Sequence, residues 1–207
     1  MYKLTLVMMI FGLGLCVNAQ EIIKLPAPEK TGGKALMQCL AARQSSREFS
    51  DKELLPQQLS NLLWAACGIN RADGKRTAPT AHNKQEIDVY VAMKSGTYLY
   101  QAKENVLKRI IEKDIRAVCG NQAFHAVAPV DLIFVADQDR MSGSPADRNF
   151  YAATDCGFIS QNVYLFCASE GLSTVVCGWI DRQKISQALD LNSHQKVILT
   201  QPVGFPK

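Results

Sequence analysis

Residues 155–170, DCGFISQNVYLFCASE, constrain the fold more than any other part of the chain. The stretch has helical length, and Gly171 follows it where a helix C-cap takes glycine. Phe158, Ile159, Val163, Tyr164, Leu165, Phe166 and Cys167 point in almost every direction around such a helix. A helix that is apolar all round is covered on all sides. In one small domain that demands a sheet against one face and something further against the other. A second subunit is the natural candidate, so the helix is expected to be a long, buried interface helix of a homodimer.

The rest of the chain supplies the sheet. Residues 20–31, with Pro26 and Pro28, read as an extended lead-in. A helix is predicted over 33–43, with Leu36, Cys39 and Leu40 on one face. Another starts at Pro56, carries the stripe Leu59, Leu62 and Leu63, and stops at Gly68. Alternation predicts a strand over 86–93, and a turn at Gly96-Thr97 leads into a short strand over 98–100. A helix is predicted over 112–118 and a buried strand over 130–136. After Gly171 come a strand over 173–176, a helix that Asp181 caps, and a strand over 196–200. Helices and strands interleave irregularly, which makes the class α+β.

The 207 residues suit one domain, with 47% hydrophobic and 20% charged positions. A net charge of +4, from 23 basic and 19 acidic residues, is too mild to argue for nucleic acid. Lys3, the apolar run from Leu4 and the Val17-Asn18-Ala19 sequence have the layout of a signal peptide over 1–19, leaving a domain over 20–207. The run falls short of the about 20 apolar residues that span a bilayer, so no stable membrane insertion is expected. The bulky Leu15 before Cys16 argues against lipid attachment. The expected location is exported and periplasmic; without the signal it is cytoplasmic. Cys39, Cys67, Cys119, Cys156, Cys167 and Cys177 remain after cleavage and are expected to be mostly free, buried thiols. There is no G-x-S-x-G and no H-E-x-x-H. His82, His125 and His194 lie far apart and read as surface or packing residues. DGKRT, at 73–77, has Ile69 where a phosphate loop needs glycine.

Three short segments carry candidate chemistry. RQSSR, at 43–47, places two guanidiniums around two hydroxyls, a set that binds phosphate through charge-assisted bonds. A solvated helix end has the same make-up. Pro79, Thr80 and Ala81 are small, and Asn83 and Gln85 follow as paired amides just before a strand. Small side chains let backbone N–H groups approach a flat ligand, and amides offer donors and an acceptor. An ordinary turn reads the same way. GLSTVVCGW, at 171–179, ends a strand at Cys177-Gly178, where glycine leaves room for a ring. A plain strand end is the alternative.

Together and in this order, the segments resemble the nitroreductase family of FMN-dependent oxidoreductases, which implies an α+β fold with a central mixed sheet flanked by helices. RQSSREF is similar to its Arg-x-Ser-x-Arg phosphate motif, APTAHNKQEIDVYV to its Pro-Ser-x-x-Asn-x-Gln segment, and GLSTVVCGW to the strand whose end faces the flavin N5. SGTYLY and DCGFISQNVYLFCASEGLSTV resemble the branch related to peptide-azoline dehydrogenases and oxidases. The resemblance implies that Arg43, Ser45 and Arg47 bind the FMN phosphate and ribityl chain. Pro79, Thr80, Ala81 and Asn83 would approach from the other subunit, supported by Gln85. The N–H groups of Cys177 and Gly178 would reach N5 and O4. Gln44 stands where a second Arg is frequent, and Lys207 would supply a basic contact that relatives take from a longer tail. The implied activity is hydride transfer through flavin N5 in two half-reactions on a small-molecule substrate, with NAD(P)H as electron donor. The mechanism requires no acid or base residue, and no metal is implied. A flavin-binding protein without turnover and an azoline-type peptide oxidase are the alternatives.

Overall fold

The alternation of Ile87, Val89 and Val91 with Asp88, Tyr90 and Ala92 makes an extended strand with two different faces. In the computed structural model, which describes residues 21–207, that strand is β2 (Ile87–Met93), near the centre of a seven-stranded sheet. The other strands are β1 (Ile22–Lys24), β3 (Gly96–Gln101), β4 (Val106–Ile111), β5 (Val130–Asp137), β6 (Ser173–Thr174) and β7 (Gln195–Gly204). Their order across the sheet is β1-β4-β3-β2-β5-β7-β6. The α+β class is as expected. The sheet, expected to be mixed, is antiparallel at every pairing among the described residues. Tight turns at 94–95 and 102–105 join β2, β3 and β4 as a meander, and such turns reverse the chain direction. The targeting segment predicted over 1–19 lies outside the described residues.

Helices cover both faces. Val89, Val91, Leu132 and Phe134 pack with α2 (Pro56–Cys67) and α4 (Pro145–Glu170). Tyr90, Ile133 and Val135 pack on the opposite side with Ile185 of α5 (Arg182–Ala188). Two covered faces explain why β5 reads as a nearly continuous apolar run. The lead-in, α1 (Leu36–Ala42), the short α3 (Phe124–Val127) and three 3₁₀ turns complete the fold.

Several predicted elements change. The first helix begins three residues late, because Gly33 sits at φ +75°, outside the right-handed helical region. Of its predicted apolar face only Cys39 is buried; Leu36 and Leu40 are exposed. The helix predicted over 112–118 is only a 3₁₀ turn over Arg116–Val118. Asp114 accepts bonds from the backbone N–H and the guanidinium of Arg116, and such local bonding competes with a helix. Helix α4 begins ten residues before its prediction. Ser144 and Asp147 form a reciprocal capping box, and Pro145 takes the first helical position. Gly171 closes α4 in the left-handed conformation. Among the described residues, all six cysteines are free and buried.

Candidate functional site

Tyr164 on α4 ties two of the three segments together. Its hydroxyl shares a 2.8 Å hydrogen bond with Ser45 Oγ and accepts one from Val176 N at 2.9 Å. Arg43 caps the end of α1 and lies over the Tyr164 ring, with Cζ 5.2 Å from the centroid. The neighbouring Ser46 N–H donates to Thr174 O, and the Ser46 and Ser173 hydroxyls meet at 3.1 Å. The segment over 43–47 is therefore stitched along the strand that leads to Cys177-Gly178. Neither Arg43 nor Arg47 has an ion-pair partner among the described residues. Two uncompensated guanidiniums beside a serine fit an anion.

The strand end corrects one expectation. The N–H of Cys177 does not face outward; it donates to Thr200 O at 2.8 Å, and Cys177 O accepts from Thr200 N at 3.1 Å. The Cys177 side chain is buried in the core on the α5 side of the sheet. The next two residues are exposed, and the N–H groups of Gly178 and Trp179 have no partner among the described residues. A side chain at Gly178 would meet only Leu199 Cδ2, at an ordinary 3.5 Å. The outward donors of this strand end are thus Gly178 and Trp179, one residue beyond the expected pair. Trp179 itself is 71% exposed, and its carbonyl accepts from Asn121 Nδ2.

The loop over 79–85 lies elsewhere on the same helix. Ala81 N donates to Asp155 Oδ2 at 2.8 Å. Thr80 Oγ1 accepts from Gln85 N, and Thr80 O from Asn83 N. The Gln85 amide bonds Gly74 O, Asn83 Oδ1 and Arg76 Nε, while Arg140 holds Gln85 O at 2.8 Å. The Gln85 amide is thus taken up within residues 74–85. His82, Asn83 and Gln85 have φ near +50°, an uncommon clustering of non-glycine residues in the left-handed region. Strain of this kind persists where the surroundings over-determine it, and it collects at ligand-contacting loops. Pro79 is exposed at the start of this loop.

Nine residues separate Asp155 from Tyr164, roughly 13 Å along the helix axis. Within one protomer the loop over 79–85 and the segment over 43–47 are therefore anchored at separate points of α4. Lys207 lines a cleft of about 640 Å³ with Phe49, Ser50 and Arg116, just beyond Arg47 in the chain. A smaller cavity of about 280 Å³ is lined by Gln44, Ser46 and Tyr164, but not by Arg43, Ser45 or Arg47.

Two buried charged groups escaped the sequence reading. Glu86 is fully buried, with no hydrogen-bond partner for either carboxylate oxygen among the described residues. Burial, reinforced by the facing Asp155, holds its pKa up at about 7 against the pull of Arg140. His125, read as a surface or packing residue, is fully buried with Nδ1 at 2.5 Å from Asp131 Oδ2. A carboxylate inside the apolar run of β5 was the available signal, since a buried charge requires a partner. Among the described residues no cluster suits a metal ion, and no helix is long and apolar enough to cross a membrane.

This is an α+β sheet protein with exposed backbone donors at a strand end and, joined to the same strand through Tyr164, a segment that carries Arg43 without an ion-pair partner among the described residues. Comparison with known proteins gives the family. The pattern of the nitroreductase family matches residues 40–205. A candidate nitroreductase of Methanocaldococcus jannaschii is 31% identical over 193 residues, covering 88% of this chain and 95% of its own. The crystal structure of a candidate nitroreductase from Ralstonia eutropha JMP134 matches with a TM-score of 0.86 at 41% identity, covering 90% of each chain. The NADPH:FMN oxidoreductase of Vibrio harveyi, solved with NAD+, shares the fold at 20% identity and a TM-score of 0.64, covering 83% of this chain and 69% of its own. The chain belongs to the nitroreductase family and is an oxidoreductase. The family is typically flavin-dependent.

Proposed function

We propose that this chain binds FMN and passes a hydride through it in two half-reactions, from NAD(P)H to a small-molecule acceptor, as a homodimer. The observation that carries this reading is the Tyr164 junction. It sets the unpaired Arg43 guanidinium and Ser45 alongside a strand whose next free N–H groups are those of Gly178 and Trp179, with Arg47 four residues on in the same segment. One end of that arrangement fits a phosphate and the other fits the polar edge of a ring. Arg43, Ser45 and Arg47 would hold the phosphate and ribityl chain, with Lys207 adding charge. Gly178 and Trp179 would donate to the edge carrying N5 and O4. The loop of Pro79, Thr80, Ala81 and Asn83, anchored well along α4, would contribute to the site of the second protomer. When bound, the flavin supplies hydride acceptance and donation at N5. The protein's part is to bind, to orient and to present donors.

Purified protein, reconstituted with FMN if colourless, tests this by its absorption spectrum before and after anaerobic addition of NADH or NADPH. A yellow protein that bleaches and is reoxidised by a nitroaromatic or a quinone is expected. A yellow protein inert to both nucleotides but reduced by dithionite would leave flavin binding and remove the NAD(P)H reaction. Protein that takes up no FMN would overturn the reading.

A further inference from the structure

Behind the strand end lies a buried polar chain that flavin binding alone does not call for. His125 on α3 is fully buried and bonds Asp131 of β5 through Nδ1 at 2.5 Å. Its other nitrogen, Nε2, has no hydrogen-bond partner among the described residues, while the nearby Cys177 thiol acts on its charge and itself donates to Val175 O at 3.7 Å. Gly120 is packed so closely against this ring that a Cβ there would lie 2.0 Å from Nε2. The same stretch reaches the strand end at two further points. Asn121 Nδ2 donates to Trp179 O at 3.1 Å, and Cys119 O accepts from the hydroxyl of Thr200. Thr200 in turn pairs with both backbone groups of Cys177. Residues 119–125 therefore reach Trp179 directly at the surface and Cys177 through the buried Thr200.

We propose that Asp131, His125 and Cys177 form a buried relay that fixes the position and polarity of this strand end, with His125 as a positioning residue for the group bound at Gly178 and Trp179. The inference rests on the flavin reading above and deepens it. An imidazolium has two N–H donors; Nδ1 meets Asp131, and the Cys177 thiol acts on the same ring. The remaining charges nearby are Arg116, which bears on Asp131, and Asp114, which binds Arg116. Burial opposes protonation of His125, but the bond and charge of Asp131 outweigh it and hold its pKa at about 9. The pair is then a fixed dipole with its positive end toward the strand end. A preorganised dipole favours negative charge that develops in front of it. A bound flavin gains electrons there, so the relay makes it easier to reduce.

Two measurements test this. In flavin-free protein labelled with ¹⁵N-histidine, the ring of His125 is expected to be doubly protonated at neutral pH, and to lose its proton at lower pH in Cys177→Ala. A neutral ring at neutral pH, or one indifferent to Cys177→Ala, overturns the relay. In FMN-loaded protein, His125→Gln is expected to shift the flavin midpoint potential to a more negative value, and Cys177→Ala to shift it less in the same direction. Wild-type potentials in the folded, FMN-loaded variants overturn the proposal. Should His125→Gln fail to fold, Cys177→Ala leaves the ion pair intact and decides alone. Failure of the wild-type protein to bind FMN would strike the flavin reading, and the ring titration would still report whether the relay exists.

Discussion

Each residue at the strand end and phosphate segment makes a different, separable claim. Arg43 and Arg47 have no carboxylate to lose, so Arg43→Ala and Arg47→Ala should each weaken FMN binding by about 1.5–3 kcal/mol, the worth of one charged hydrogen bond. Fluorescence titration measures it, and unchanged affinity in both would put the phosphate elsewhere. Gly178→Val meets only Leu199 in the protein, so the fold should tolerate it. A ring on the Gly178 N–H would meet the new side chain, at a cost of about 1–3 kcal/mol, or about fivefold to a hundredfold in affinity. Wild-type FMN binding by this variant would mean that the strand end does not face the ring. Glu86 makes a pH prediction. Its carboxyl ionises near 4.5 in the unfolded chain and near 7 in the folded one. Between those values the unfolded state has given up a proton that the folded state keeps, so stability falls as pH rises through this window. Glu86→Gln removes that titration. Its melting temperature should match wild type at about pH 5 and exceed it at about pH 8, where wild type carries a buried charge. Parallel melting curves across this range would show that Glu86 ionises normally.

Helix α4 anchors both the loop over 79–85 and the segment over 43–47. Its buried face, Ala152, Cys156, Ile159, Val163 and Cys167, packs on the sheet, while Asp155 holds the strained loop and Tyr164 holds the segment over 43–47 proposed to bind phosphate. Tyr164→Phe keeps the ring under Arg43 and removes only the hydroxyl. Ser45 and the Val176 N–H then lose their shared partner, which should lower stability by about 1–3 kcal/mol and weaken FMN binding as well. Lost stability in urea titrations with unchanged FMN affinity would show that this junction does not position the site. The core of α4 was legible because its apolar residues repeat around a helix and glycine marks its end. Its first ten residues were not, since Phe150 and Tyr151 are exposed there and polar residues break the pattern. Strand β4 was missed because Lys108 and Arg109 interrupt its apolar residues. The three segments could be located from residue type alone. Which N–H points outward could not, because the Cys177–Thr200 pairing is set by strand register 23 residues away in sequence.

The whole molecule leaves a second apolar surface uncovered. On α4, Tyr151, Phe158 and Leu165 recur every seven residues on the side away from the core, and Phe158 is 43% exposed. On α1, which packs against α4, Leu36 and Met37 are 61% and 74% exposed and Leu40 is exposed beside them. Apolar patches of this kind on a folded chain mark interaction surfaces. The proposed homodimer would account for them together with the separation of the two anchored segments on α4, because a dimer across this surface would set the loop of one protomer against the 43–47 segment of the other. A charge placed in such an interface is left unpaired and buried, which opposes association. Phe158→Glu is solvent-facing in the isolated protomer, so it should spare the fold while separating the subunits. Light scattering should find wild type as a dimer and Phe158→Glu as a monomer. If the site is shared, the monomeric variant should also lose FMN, although every residue of its phosphate segment and strand end is intact. A monomer that retains FMN at wild-type affinity would place the whole site within one chain and leave the strained loop over 79–85 without the role assigned to it. A variant that stays dimeric would move the interface off this face of α4.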